Sequence, residues 1–276
     1  MTTAKPNQKG DPARRTDIQE ILALYDKELR IEVNYPGSKK EILPHVVRFI
    51  ADPPGSHFIL YSRLDETNAD AVIQQQRVDF VHADLPVEWK VHSHDTPTDL
   101  RDRLIAQGFE ADESEAVMVL DLHQVPPALF DPVAADIRRI ECRQQLGDVI
   151  QIQEQVWQRD FGWINERLGS ELDIPGYLHI YAAYVEEEPA CAGWINFHPD
   201  SHFASLWGGS TVASYRGRGL YSALLAKRAQ DAIERGYRFL VVDAGDMSRP
   251  ILAKQGFQLL TVATPCMLKK SSHKER

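Results

Sequence analysis

Two arginines and two glycines lie together in one short stretch of the chain, Arg216-Gly217-Arg218-Gly219-Leu220-Tyr221. The stretch separates a predicted strand, residues 203–212, from a predicted helix, residues 222–235, so the glycines occupy the turn where the helix begins. The first N–H groups of a helix have no partner within it, and glycine lets a ligand approach the backbone closely. With the helix dipole and the two arginines, these groups predict an anion site suited to a pyrophosphate.

The six residues alone leave a second interpretation open, a tight strand-to-helix connection whose arginines are merely solvated. Two familiar phosphate motifs do not fit the stretch. It lacks the Gly-Lys-Ser/Thr ending of the nucleoside-triphosphate loop, and its glycines do not have the G-x-G-x-x-G spacing of dinucleotide-binding folds. The flanking elements therefore have to decide what the stretch does.

The elements that follow the loop come in a recognisable order. After the helix there is a predicted strand at residues 237–243, and a short helix then opens with Ser248-Arg249-Pro250. A Gly256-Phe257 pair ends that helix, and a last strand runs to about Leu268. This order resembles the second half of the GCN5-related N-acetyltransferase (GNAT) superfamily, whose pyrophosphate loop has the pattern Q/R-x-x-G-x-G/A.

The loop matches the family pattern at Arg216, Gly217 and Gly219, and departs from it at Tyr221, where the family usually has glycine or alanine. A second departure is Leu252, which stands where the family often has tyrosine. The resemblance implies that the loop binds coenzyme A (CoA) and that the exposed edge of the preceding strand pairs with the pantetheine arm. The implied CoA-binding residues are Thr211, Val212, Ala213, Arg216, Gly217, Arg218, Gly219, Leu220, Tyr221 and Ser222.

The resemblance implies a CoA-dependent N-acyltransferase that moves acetyl from acetyl-CoA to a primary amine of a small molecule or peptide by direct attack. Gly208-Gly209 predicts a β-bulge or a close approach of ligand to backbone. The Val212 N–H is the implied oxyanion donor. Ser248 is the leading hydroxyl for protonating the departing thiolate, ahead of Tyr221 and Tyr215, although a serine there is also typical of a helix N-cap.

The general base is harder to assign. No Asp or Glu lies in residues 203–212, the strand in which many relatives hold a base. Glu154 is the leading candidate, with Asp160, Glu166 and Asp243 as alternatives, and each is also consistent with a solvated or capping carboxylate. Because some relatives use ordered water, the missing strand carboxylate does not exclude catalysis.

Other reactive side chains also have structural interpretations. His92 and His94 share one face of a predicted strand, but no further ligand stands at a zinc-like spacing, so no metal site is predicted. Cys191 and Cys266 are expected to be small buried side chains. A group of aromatic residues forms either a wall over the substrate or simply core: Trp157, Phe161, Trp163 and Tyr177.

The composition and net charge of the chain limit the classes of partner that are expected to bind it. The 276-residue chain carries a formal net charge of −9, which argues against non-specific nucleic-acid binding and fits a cationic or amine acceptor. Its three cysteines form no disulfide or metal pattern and its N-terminus has no signal-peptide core, so a cytoplasmic location is expected. No apolar run approaches the roughly 20 residues of a membrane helix, so no membrane partner is expected.

The ending of the second half is repeated 148 residues earlier in the chain. The offset aligns three pairs of residues: Gly108 with Gly256, Leu104 with Leu252, and Asp95 with Asp243. The glycine loop has no counterpart, and residues 57–64, 71–80 and 87–91 are interpreted as successive strands that leave no room for a fourteen-residue helix. The first half is thus predicted to resemble a GNAT domain that has lost its cofactor loop and helix and completes the substrate cleft, with an unrelated α/β cap as the alternative.

The expected fold class is α/β (α+β), with tandem GNAT-like mixed sheets flanked by helices and a degenerate N-terminal half. The expected boundaries are a tail at 1–14, the reduced domain at 15–122, a linker at 123–135, the GNAT domain at 136–268 and a tail at 269–276. The chain is expected to be a monomer with an internal pseudo-dimer, or a homodimer. The competing function is a non-catalytic acyl-CoA sensor or partner-binding module.

Overall fold

One mixed β-sheet runs through both halves of the chain. The computed structural model describes residues 17–52, 55–130 and 135–270, and within them twelve strands join in this sheet. The predicted tail at 1–14, residues 271–276 of the predicted C-terminal tail, and the Asp131-Pro132 part of the linker lie outside the described residues. The sheet with its flanking helices confirms the predicted mixed α/β fold.

The first half begins with a helix that continues into a π-helical turn at Asp26–Ile31. Its helices are α1 (Ile18–Tyr25), α2 (Ala69–His82) and α3 (Leu100–Ala106). Its strands are β1 (Ser38–Ile42), β2 (Val46–Ala51), β3 (Phe58–Ser62), β4 (Val87–His92), β5 (Glu110–Ala111) and β6 (Glu115–Asp121).

From residue 203 onward, the second half has the element order that the sequence predicted. Its helices are α4 (Leu146–Trp157), α5 (Trp163–Leu172), α6 (Leu220–Glu234) and α7 (Arg249–Lys254). Its strands are β7 (Asp136–Ile140), β8 (Leu178–Val185), β9 (Glu188–Phe197), β10 (Phe203–Thr211), β11 (Phe239–Ala244) and β12 (Gln258–Leu268).

The two halves exchange their last strands. The order across the sheet is β1-β2-β3-β4-β12-β6-β11-β10-β9-β8-β7, with β5 paired to β12. Strand β6 of the first half therefore lies between β11 and β12 of the second, and β12 lies between β4 and β6 of the first. Only the β3–β4 and β10–β11 pairs are parallel, because each pair is joined by a crossover helix.

Helices cover both faces of the sheet. On one face, α6 packs its apolar side chains against β6, β9, β10 and β11, while α2 and α3 cover β4 and the end of β12. On the other face, α4 and α5 cover β7 to β9, and α1 crosses the centre of the sheet. Ile21 and Tyr25 of α1 pack against Phe203 and Phe239 of the second half, so the core is shared between the halves. None of the helices in the described ranges has the length and hydropathy needed to cross a bilayer.

The prediction that residues 71–80 form a strand is wrong. They belong to α2, which has 14 residues and buries Ala69, Ile73, Gln76 and Phe80 at helical spacing. Gln76, a polar residue on the buried face, interrupts the apolar pattern of the helix. The β-branched residues near the start of α2 also favour the prediction of a strand. The first half therefore keeps its crossover helix, contrary to the prediction that the helix was lost.

The predicted internal repeat of the endings is confirmed. Gly108 and Gly256 follow α3 and α7 with φ of +92° and +96°. Leu104 and Leu252 are both fully buried, and the phenylalanine after each glycine is buried as well. Each half thus ends with the same short helix, left-handed glycine turn and strand.

Candidate functional site

A bulge interrupts β10 where the sequence predicted one. The register of β9 against β10 shifts between Trp207 and Ser210. Gly208 has φ of +63°, and a Cβ there would lie 1.8 Å from the Trp194 ring, so no larger residue fits. The parallel pairing of β10 with β11 ends at Ser205, although β10 continues to Thr211. A groove therefore opens between the two strands beside the bulge.

A side chain from α4 holds the bulge in place. Gln153, buried in the core, donates from Nε2 to the carbonyl oxygen of Gly208 at 2.6 Å and accepts from Ser210 Oγ at 2.9 Å. The Trp157 indole N–H lies 3.0 Å from Ser210 Oγ. These bonds satisfy polar groups that the shift in register would otherwise leave buried without partners. Sequence analysis missed Gln153, because nothing in its local pattern marks a glutamine that bonds a strand 55 residues away.

The edge of β10 that faces the groove belongs to Thr211 and not to Val212. The Val212 N–H donates to the Ala190 carbonyl at 2.9 Å, on the β9 side, so its predicted role as oxyanion donor is wrong. Peptide groups of successive strand residues point to opposite sides, which places those of Thr211 on the groove side. Consistent with this, the Thr211 carbonyl accepts from Arg216 Nε at 3.2 Å.

The glycine loop presents backbone donors at the start of α6. Gly217 and Gly219 have φ of +76° and +78°, and Gly219 occupies the N-cap position without a side-chain cap. The first intrahelical bond runs from the Ala223 N–H to the Gly219 carbonyl at 2.9 Å. The N–H groups of Leu220, Tyr221 and Ser222 therefore point out of the helix end. The geometry supports the predicted anion site, and binding there stays a prediction.

Two exposed arginines flank these donors. Arg216 is anchored through the Thr211 carbonyl, and Arg218 lies over the Tyr215 ring with its Cζ 5.4 Å from the centroid. Neither guanidinium pairs with a carboxylate among the described residues. Both remain available to an anion at the end of α6.

Near α7, the candidate hydroxyl of Ser248 already has a hydrogen-bond partner, and the tyrosine of the family is replaced by leucine. Ser248 stands at the N-cap of α7, but its side chain makes no capping bond and donates instead to the Gly245 carbonyl at 3.2 Å. Leu252 is fully buried core. Gln255, just after α7, donates to Ser222 Oγ at 3.4 Å and so ties this region to the start of α6. The predicted catalytic role of Ser248 stays a prediction, and its hydroxyl has a local structural partner.

Glu154 and Asp160 both close the turn between α4 and α5. The Glu154 carboxylate accepts from the Phe161 N–H at 3.2 Å, and the Asp160 carboxylate accepts from the Gly162 N–H at 3.0 Å. Both side chains are exposed. The base role predicted for Glu154 stays a prediction, whereas its turn-closing bond is visible.

The fourth carboxylate candidate, Asp243, is paired with a lysine from the other half. Lys90 of β4 donates to Asp243 of β11, and the two side chains are only 13% and 10% exposed. Two strands lie between β4 and β11, a separation of about 14 Å in a flat sheet. Since the side chains meet, the sheet must curve toward this face. Burial opposes protonation of Lys90, but the charge and hydrogen bond of Asp243, with Tyr25 and Glu88, together raise the pKa of the lysine.

Aromatic and acidic side chains surround this ion pair. Trp207, 44% exposed, lies with its ring centroid 6.0 Å from Lys90 Nζ. Burial raises the pKa of Tyr35 to about 12, with opposing influences from Lys90 and Asp243. Burial, reinforced by the Asp243 charge, also raises the pKa of Glu115. Strand alternation places Trp207 and Asp243 on the same face as α1. Both halves therefore line one polar and aromatic region beside the groove, which we call the inter-half chamber.

The remaining sequence candidates have structural surroundings. Phe161 and Tyr177 are buried, while Trp157 and Trp163 are 50% and 41% exposed. The imidazole rings of His92 and His94 lie 5.7 Å apart within a network that includes Tyr25 and Asp26. The expected burial of Cys191 and Cys266 is confirmed.

Comparison with known proteins identifies the fold. Residues 143–257 match the model of the Acetyltransferase (GNAT) family. A GCN5-related N-acetyltransferase from Kribbella flavida superposes with a TM-score of 0.67 at 13% identity, covering 92% of this chain and 96% of its own. A tandem GNAT protein from the clavulanic acid biosynthesis pathway gives a TM-score of 0.60 at 11% identity, with coverage of 93% and 96%. No curated protein matches the sequence significantly.

A third solved structure, assigned to the GNAT family, comes from Novosphingobium aromaticivorans and has a TM-score of 0.53 at 15% identity. It covers 95% of this chain and 100% of its own. At such identities the structural similarity describes the fold, and the family match covers the half that carries the glycine loop. Taken together, these matches show that residues 143–257 resemble the GNAT family and that the whole chain has the two-lobed fold of these solved structures.

Proposed function

We propose that the protein is a CoA-dependent N-acyltransferase that transfers acetyl from acetyl-CoA to a primary amine. The observation that carries this proposal is the open loop at the start of α6 beside the unpaired edge of β10. The GNAT fold supports acyltransferase activity in general. The loop and edge supply the specific contacts for CoA.

Different groups of the loop and of β10 would hold different parts of the acetyl-CoA donor. The N–H groups of Leu220, Tyr221 and Ser222, with Arg216 and Arg218, would hold the pyrophosphate. The groove-side peptide groups of Thr211 would pair with the pantetheine arm, as a strand adds to a sheet edge. The Thr211 N–H replaces that of Val212 as the proposed oxyanion donor.

The acceptor amine would enter from the inter-half chamber. Trp207 and Asp243 line it from the second half and Lys90 lines it from the first, with Tyr35 within electrostatic range of the Lys90–Asp243 pair. The carboxyl groups of Glu88 and Glu115 lie within electrostatic range of Lys90 and Asp243, and burial raises the pKa of both. A positively charged acceptor would favour their ionised forms, because a nearby cation lowers the pKa of a carboxyl group. These contacts support the expectation that the first half completes the substrate cleft.

The competing hypothesis is an acyl-CoA sensor that kept the loop and lost catalysis. Buried Leu252, in place of the tyrosine common in the family, favours it. Calorimetry with acetyl-CoA, combined with a thiol-release assay over a broad panel of amines, separates the two functions. Binding together with acceptor-dependent release of CoA would establish the transferase. Binding without release across the panel would establish the sensor.

A matched pair of glycine substitutions tests the site itself. Gly219→Asp places a carboxylate at the N-terminal end of α6, where it would repel phosphate, and should abolish CoA binding. Gly236→Asp is the control, since Gly236 also has positive φ, at +80°, but follows the opposite end of the same helix. Gly236→Asp should retain CoA affinity at a similar cost in stability. Unchanged affinity in Gly219→Asp would exclude the loop as the site.

A further inference from the structure

Tyr221 places its ring against the bulge. It stands in the first turn of α6, where the family pattern has glycine or alanine, and it is only partly buried. A Cβ added at Gly209 would lie 2.9 Å from Tyr221 Cε2 and 3.5 Å from its hydroxyl oxygen. Gly209 therefore provides the space that the Tyr221 ring occupies. The phenol reaches from the proposed pyrophosphate end of the groove to the bulge.

The Tyr221 hydroxyl has no hydrogen-bond partner among the described residues, and it is not one of the polar atoms sealed from solvent without a partner. Other tyrosine hydroxyls of the second half donate hydrogen bonds within the protein: Tyr181 donates to Asp231 at 2.8 Å, and Tyr237 donates to the His198 carbonyl at 3.1 Å. A hydroxyl that lies beside the bulge, is not sealed from solvent and has no protein partner is free to donate to a ligand that reaches it.

A buried cation on the same helix lies within electrostatic range of Tyr221. Arg228, 1% exposed, bonds the carbonyls of Leu224 and Trp194 and has no carboxylate partner in the described parts of the chain. Burial raises the pKa of Tyr221, and the Arg228 charge acts against that rise. The guanidinium would stabilise the phenolate that remains after Tyr221 gives up its proton.

The other hydroxyl candidate is less suited to this role. Ser248 donates to the Gly245 carbonyl, and the position of the family tyrosine is filled by the apolar side chain of Leu252. Sequence reasoning ranked Tyr221 below Ser248, because a loop pattern does not show where a side chain in the first helical turn points. The geometry reverses that order.

We propose that Tyr221 is the catalytic acid, an inference that rests on the proposed acetyl transfer. As the amine nitrogen bonds to the carbonyl carbon, the carbon–sulfur bond breaks and its electron pair stays on sulfur. The Tyr221 O–H gives its proton to that sulfur, forming free CoA. The phenolate then takes a proton from solvent, and the proton lost by the amine leaves through solvent or a base.

Tyr221→Phe tests this role, because it keeps the ring against Gly209 and removes only the hydroxyl. With acetyl-CoA as donor and hydroxylamine as a small nucleophile, kcat for thiol release should fall about 100-fold, as for loss of a general acid. The Kd for acetyl-CoA, measured by calorimetry, should stay within about twofold, since the hydroxyl is not needed to hold the donor. Tyr237→Phe, at the far end of α6, is the matched control and should leave kcat and Kd unchanged.

A double-mutant cycle with Arg228→Met adds a readout that a structural role would not produce. Arg228→Met should lower kcat in the wild-type background and have little further effect in Tyr221→Phe, because the cation acts through the phenolate. Wild-type kcat in Tyr221→Phe, with thiol release intact in the wild-type protein, would overturn the assignment of Tyr221 alone. Absence of thiol release in the wild-type protein despite acetyl-CoA binding would overturn the transferase and the acid together.

Discussion

The molecule contains two strand–helix–strand crossovers, β3–α2–β4 and β10–α6–β11. They share one backbone arrangement but differ in the side chains around the loop and the groove. Each joins two parallel strands through a helix, of 14 residues in α2 and 15 in α6. In each, the parallel pairing stops while the first strand continues: after Ile59 in one and after Ser205 in the other. The backbone thus offers an equivalent groove twice.

The loops before the two helices have opposite electrostatics. In the first half, the Asp65 carboxylate accepts from the N–H groups of Thr67 and Asn68 at 2.8 and 3.1 Å, and Asp70 lies in the first turn of α2. An internal anion already accepts from two backbone N–H groups of this loop, so a phosphate would meet negative charge there. The loop before α6 has glycines and arginines, and its donors are open.

The grooves differ as well. In the first half, the buried Arg30 guanidinium donates to the Leu60 carbonyl at 2.8 Å and to both carboxylate oxygens of Asp95 at 2.8 Å. This side chain fills the space beside the diverging strands. In the second half, Asp243, the repeat counterpart of Asp95, pairs with Lys90 from across the sheet, and the Thr211 carbonyl accepts only from the exposed Arg216. A repeated backbone therefore gives one candidate CoA site, because a few side chains close the other.

The largest effect is expected from separating the halves. Residues 136–276 alone lack β4, β5 and β6, so β11 loses one partner strand and β12 loses all three of its partners. Because of this strand exchange, we expect the fragment to aggregate or to show no cooperative unfolding, measured by solubility and circular dichroism. Co-expression with residues 1–135 should restore a soluble complex. A soluble fragment with wild-type CoA affinity would show that the predicted domain boundaries mark independent units.

The next largest effect is expected at the closed groove. Arg30→Met leaves the buried Asp95 carboxylate without its cation and should lower the free energy of unfolding by about 3–5 kcal/mol, measured by urea denaturation. The double variant Arg30→Met/Asp95→Leu removes both charges and should recover much of that loss. Neither variant should create a second CoA site, because the Asp65 and Asp70 carboxylates still lie at the start of α2 and would repel phosphate. A second equivalent of bound CoA would contradict this account of the two crossovers.

Two glycines in the second crossover should differ in cost. Gly208→Ala drives a Cβ into the Trp194 ring and should destabilise the fold by about 1–3 kcal/mol or more, besides distorting the bulge. Gly217→Ala has no atom within 4 Å and only a positive φ, so about 1 kcal/mol is expected. Thermal unfolding of both variants gives the comparison. Equal losses of stability in the two variants would mean that the Trp194 side chain moves aside at little energetic cost.

The smallest effect concerns one exposed arginine in each loop. Arg218→Ala should raise the Kd for acetyl-CoA about tenfold through loss of a charge-assisted bond, with a smaller ratio at high salt. Arg63→Ala, in the loop before α2, is the matched control and should leave the Kd unchanged. Calorimetry at two salt concentrations measures both. A similar rise in both variants would point to the overall charge of the protein and away from local contact.

Much of the second half could be predicted because its signals are local. Residues 178–185 are apolar or aromatic apart from one histidine and are followed by a turn, and they form β8 with those bounds. The Gly208-Gly209 pair marked the bulge, since few other residues tolerate its backbone. By contrast, β1 and β2 carried no signal that was recognised, and α2 was misread because Gln76 interrupts its buried stripe.

The candidate site also has features that the local sequence predicts and contacts that it does not predict. Its glycines and arginines are contiguous, so the sequence was sufficient to predict a strand, an anion-binding turn and a helix in that order, and to name a CoA-like ligand. The contacts that distinguish the two crossovers join residues far apart in the chain: Gln153 with Gly208, Lys90 with Asp243, Arg30 with Asp95, and Tyr221 with Gly209. Such contacts exist only after the sheet has curved and the halves have exchanged strands, because no local pattern encodes which distant side chain fills a groove.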